Sequence, residues 1–100
     1  EVWFFQAGDA LEHVRLEPGG GAARVTRLGG DVLAGEVPQL VVPGGVWQGA
    51  RLAAGGRCGW ALVGCTMAPA WDAGEFELGS RVGLAGEFSG ARAEIDALTR

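Results

Sequence analysis

Lysine, tyrosine and asparagine are absent from this chain, isoleucine and histidine occur once each, and cysteine occurs twice. Every positively charged side chain is therefore an arginine, and the eight arginines stand singly between Arg15 and Arg100 in a chain of net charge −4. No patch exists to neutralise a run of phosphates, which argues against nucleic acid as a partner. No stretch approaches the ~18 apolar residues of a membrane span, and no basic start precedes an apolar core, so the reading is a cytoplasmic protein with no membrane partner. Cys58 lies in a Gly-rich turn and Cys65 in an apolar segment. Their spacing misses the paired-Cys pattern of zinc sites, and the lone His13 offers no supporting set. Two free thiols in a reducing compartment, with no metal and no other cofactor, is the expectation.

What is present is glycine, 19 residues of it, with four Trp, four Phe and many Val, Leu and Ala. The arginine-for-lysine bias reads as a GC-rich bacterial genome. One hundred residues make one domain, which buries only roughly 60–65% of its extended-chain surface when it folds alone. A second copy would bury more, so a homodimer is predicted. The chain begins inside an apolar run, as a chain lacking N-terminal strands would.

Gly/Pro punctuation divides the sequence into short strand-forming segments. Glu1–Gln6 is the first, ended by Gly8-Asp9. Leu11–Leu16 and Ala23–Leu28 make a hairpin around Pro18-Gly19-Gly20-Gly21. Val32–Gly35 is a connection, Pro38–Val42 a short strand, and Val46–Ala54 a strand entered through Pro43-Gly44-Gly45. Gly59–Met67, apolar on both alternating faces, predicts a central strand buried between two sheets. Ala70–Leu78 reads as a surface loop, Ser80–Leu84 as a turn or helix start, and Ala91–Leu98 as one C-terminal helix. The class is all-β with a short C-terminal helix, a sandwich or barrel.

Four segments in order carry a resemblance. Glu1-Val2-Trp3-Phe4-Phe5 with Ala7-Gly8-Asp9, Pro43-Gly44-Gly45-Val46-Trp47-Gln48, Leu62 to Pro69, and Phe76-Glu77-Leu78-Gly79 resemble the strands of the cupin superfamily. The nearest likeness is to its uncharacterised cupin 5 branch. That resemblance implies a double-stranded β-helix barrel, usually a homodimer, similar in shape to sugar-nucleotide epimerases and seed-storage proteins. Metal-binding cupins carry a His pair before the position of Glu1 and a further His where this chain has Gln48. Phe4 replaces a His common in the branch, and Ala10 a Pro. An amide plus one carboxylate does not build a transition-metal site.

The implied lumen supplies the candidate residues. Gln48 emerges from the Pro-Gly-Gly turn as a polar group among Val46 and other apolar side chains, suited to a hydroxyl, an acid or a nucleobase edge. The rival reading has it bonded to a neighbouring side chain. Glu1 shares a strand face with Trp3 and Phe5, a setting that raises a carboxyl pKa, and is the leading candidate for proton transfer. His13 is the second catalytic candidate, although a lone imidazole in this setting is more often a partly exposed strand residue. Cys65 reads as a small buried hydrophobe lining the pocket. Trp71 and Glu77 belong to a loop suited to cover a barrel mouth. Binding of a small polar or sugar-like molecule without metal is the first functional expectation. An isomerase or epimerase using Glu1 or His13 is the alternative.

Overall fold

A computed structural model describes residues 1–100. Six strands form two separate three-stranded sheets, and their ladders do not close into a barrel. They are β1 (Val2–Gly8), β2 (Leu11–Leu16), β3 (Arg24–Leu28), β4 (Gln39–Val41), β5 (Trp47–Leu52) and β6 (Ala61–Thr66). The first sheet runs β4-β1-β6 and the second β3-β2-β5, with antiparallel pairing throughout. The β2–β3 pair is the hairpin that the Pro18–Gly21 loop predicts.

Strand alternation fixes what each face of the second sheet does. Val14 and Leu16 turn outward and form a core with Leu84, Phe88, Ala91 and Ile95, with Trp47 and Leu98 packed against it. His13 and Arg15 turn inward, and Arg15 stands opposite Gln48 in register. On β1 the same inner layer holds Trp3, which pairs with Leu40 on β4 and Cys65 on β6.

The helix predicted over Ala91–Leu98 is α2 (Arg92–Leu98), and the turn or helix start read at Ser80–Leu84 opens a further helix, α1 (Arg81–Glu87). Ser80 caps the first by accepting from the Gly83 N–H at 3.1 Å. Leu84, Phe88, Ala91, Ile95 and Leu98 repeat at intervals of four and three, which lays one apolar stripe across β2 and β5. The break between the helices falls where Gly90 meets the backbone of Gly21, since a Cβ there would approach the Gly21 carbonyl carbon to 2.7 Å. Sequence periodicity does not register that long-range approach.

The segment predicted as a buried central strand is instead β6, at the edge of the first sheet, with Leu62 and Cys65 exposed. No strand lies beyond it, so only its β1 side is paired. Asp9 anchors the loop leading into it. The Asp9 carboxylate accepts backbone N–H groups from Arg57, Cys58 and Gly59 at 2.7–3.2 Å, and these bonds hold its pKa below the usual carboxylate value despite burial.

Candidate functional site

The inner layer between the sheets carries a line of three polar side chains. Gln48 on β5 donates its amide N–H to Glu1 Oε1 at 2.6 Å, and its Oε1 lies 2.8 Å from Nε2 of His13 on β2. The polarity of this line follows from Glu1. An ionised carboxylate only accepts, so the amide nitrogen must face Glu1 and the amide oxygen must face His13. The His13 Nε2 therefore carries a proton and donates it. Burial of His13, which is 0% exposed, pushes its pKa below 6.5 and outweighs the opposing Gln48 bond. The neutral ring then leaves Nδ1 as a bare lone pair.

Trp3 packs edge-on against that ring, with centroids 4.9 Å apart and planes at 75°. The Trp3 Nε1–H, the His13 Nδ1 and the Arg15 Nε–H are all buried without a hydrogen-bond partner. Arg15 is 8% exposed; its Nη1 donates to the Val41 carbonyl at 3.3 Å, and Glu17 lies 3.9 Å from its Nε.

In front of this layer opens a cleft of about 590 Å³ lined by Glu1, Val46, Gln48, Trp71 and Glu77 among others. Five of the nine residues predicted from sequence thus share one cavity wall or rim. Trp3 and His13 stand behind Gln48 instead, and the Phe5 ring lies against Gly30, away from the cleft. His13 is fully buried rather than half-exposed, because its strand is the centre of the second sheet. Gln48 is exposed to the cleft, and its amide is already bonded at both ends. Cys65 is exposed, not a buried hydrophobe, because β6 is an edge strand. Desolvation and the neighbouring Glu1 carboxylate push its thiol above 9.0, which removes it as a nucleophile near neutrality. Arg15 and Asp9 were not singled out by sequence reasoning. Arg15 falls two residues after His13 on the same strand face, a signal that alternation carries.

The pH dependence of His13 is checkable. Its folded-state pKa is depressed, so the unfolded chain binds the extra proton first. Stability is full above about pH 6.5 and falls as pH drops from there toward the folded value. Melting temperature should fall between about pH 7 and about pH 5.5, before the carboxylates titrate. In His13→Gln that limb should flatten. An equal slope in the variant would assign the loss to other groups.

Residues 1–79 match the family described as Cupin superfamily (DUF985). The chain belongs to that family. Its fold is similar to a crystal structure of a Shewanella oneidensis protein, with a TM-score of 0.87 and 33% identity over 99% of this chain and 60% of that one. A hypothetical protein from Leishmania major is similar at a TM-score of 0.89 and 27% identity, over 98% of this chain and 62% of that one. The chain thus spans about three-fifths of the length of both. No curated protein matches it. No helix is long and apolar enough to cross a membrane.

Proposed function

We propose that this domain binds a small polar organic molecule, without a metal, in the cleft walled by Glu1 and Gln48 within a double-stranded β-helix scaffold. The observation that carries this reading is the tethering of Gln48. Its amide uses one N–H on Glu1 and one lone pair on His13. One N–H and one lone pair remain, held at the wall of the cleft with no freedom left to lose on binding. A metal does not fit these residues. Gln48 stands where metal-binding cupins have a ligand His, the His13 Nε2 is protonated, and no three His, Cys, Asp or Glu side chains converge.

An isomerase or epimerase reading requires two proton-transfer groups facing each other across the ligand. Glu1 lines the cleft while His13 lies buried behind Gln48 on the same hydrogen-bonded line, which favours binding over that chemistry. Thermal melting against a panel of sugars, nucleotide sugars and organic acids tests the proposal. A binder at about a hundredfold excess over Kd should add about 2.7 kcal/mol of stability. A panel in which no compound moves the melting temperature overturns it.

The assembly belongs to the same proposal, as a homodimer. On the outer face of the first sheet Val41 on β4 is 66% and Leu62 on β6 53% exposed, and the outer edge of β6 is unpaired. Light scattering should give about twice 10.3 kDa. A monomer persisting at high micromolar concentration counts against it.

A further inference from the structure

The outer face of β5 has a gap in it. Period two puts Trp47, Gly49 and Arg51 on that face. Trp47 packs on the core and Arg51 pairs with Glu12, while Gly49, opposite Val14 in register, presents no side chain. Its φ is not positive, so the backbone does not call for glycine there. Glycine inside a strand weakens it and often marks the close approach of a ligand or of another backbone. What approaches Gly49 is not backbone: the three atoms nearest to a Cβ placed there all belong to the Leu98 side chain, the first at 3.2 Å.

Helices α1 and α2 span this gap without filling it. A cavity of about 160 Å³ remains, with Val14 and Gly49 on the sheet side, Leu84, Ile95 and Leu98 on the helix side, and the segment Phe76–Gly79 completing the wall. That segment is seated tightly, since a Cβ at Gly79 would meet Leu84 Cδ1 at 2.5 Å and the Trp47 ring at 3.2 Å. Its Phe76 and Leu78, 61% and 85% exposed, flank the cavity with apolar surface. Native interiors leave few voids larger than a water molecule. A cavity of about 150 Å³ walled by Leu, Ile and Phe is of the size that takes benzene.

The chemistry of the lining sets the occupant. Its buried members Val14, Leu16, Leu84 and Ile95 carry no polar side-chain atom. The Thr99 hydroxyl already accepts from Arg81 Nε at 3.0 Å and donates to the Ile95 carbonyl, and the Gln48 amide is held by Glu1 and His13. A polar group buried against the four apolar side chains would lose its water partners without replacement. An anionic ring would meet the Glu77 and Glu94 carboxylates of the lining.

We propose that this cavity is a second binding site, separate from the cleft, and that it takes a single uncharged apolar ring of benzene size. The inference stands apart from the binding role of the cleft.

Two residues that occur once each make the test selective. Ile95 lines the cavity and Met67 lines the cleft, so their ¹³C-labelled methyl groups report on the two places separately. Titration with benzene should shift the Ile95 δ1 methyl through the ring current and leave Met67 in place. Indole, larger by a fused ring, and benzoate should bind more weakly than benzene. In Gly49→Ala the added methyl takes up part of the space, so benzene affinity should fall about tenfold. The titrations of the parent chain decide the question even where Gly49→Ala does not fold. An Ile95 methyl unmoved up to the solubility limit of benzene overturns the site, and so does full affinity in folded Gly49→Ala. A shift of Met67 alone puts the ring in the cleft and overturns a separate site. Indole or benzoate binding as tightly as benzene overturns the size or the class of the occupant. An Ile95 methyl that moves with protein concentration in the absence of benzene assigns the cavity to a side chain of a second copy and overturns the proposal as well.

Discussion

Gly8→Ala should unfold a large fraction of this protein's stability. Gly8 ends β1 with φ at +91°, and a Cβ there would lie 2.4 Å from the Trp60 carbonyl oxygen and 2.7 Å from its ring. The left-handed backbone costs a non-glycine residue roughly 1–2 kcal/mol. Overpacking against a backbone atom that cannot rotate away adds roughly 1–3 kcal/mol. The clash falls where Asp9 accepts a backbone bond pattern from residues 57–59 and itself donates its N–H to the Trp60 carbonyl at 2.8 Å. The entry of β6 is therefore disturbed along with the turn. At about 4–8 °C per kcal/mol for a domain of this size, the melting temperature should drop by more than about 10 °C. A change of a degree or two in a thermal melt would mean that the β1 end and the Trp60 strand entry are not in contact.

Gln48→Leu should cost less than Gly8→Ala, but through the site itself. Leucine keeps similar volume while leaving the His13 Nε2–H buried without an acceptor and Glu1 without its donor. An unpaired buried donor costs ~1–3 kcal/mol, so the unliganded protein should melt lower by roughly 4–8 °C for each kcal/mol. Ligand affinity should fall as well, because the positioned N–H and lone pair at the cleft wall are gone. An unliganded melt equal to the parent's would show that the amide's two bonds contribute nothing to the fold.

The residues that alternation could place were legible in the sequence. The hairpin around Pro18–Gly21, the strand after Pro43-Gly44-Gly45, and the opposite faces of Trp47 and Gln48 all follow from turn chemistry and period two. The cupin resemblance on four ordered segments agrees with the family match over residues 1–79. What escaped depends on contacts between distant segments. Whether an apolar run such as Ala61–Thr66 lies in the middle or at the edge of a sheet depends on whether another strand follows it in space, and period alone is silent on that. His13 reads as an ordinary strand residue until β3 and β5 flank it and Gln48 reaches it across 35 positions. The close approach of Gly90 to Gly21, between the two C-terminal helices, is likewise a contact local periodicity does not encode.

The line from Glu1 through Gln48 to His13 is the centre of this account, because it fixes which hydrogen-bonding groups the cleft presents. Its polarity can be read directly from the single imidazole by long-range ¹H–¹⁵N correlation near neutral pH. The account predicts a neutral ring with its proton on Nε2 and an unprotonated Nδ1. A neutral ring with its proton on Nδ1 would mean that the Gln48 amide does not face Glu1 and His13 as described, and an imidazolium at pH 7 would mean that burial does not hold the ring neutral; either would contradict it.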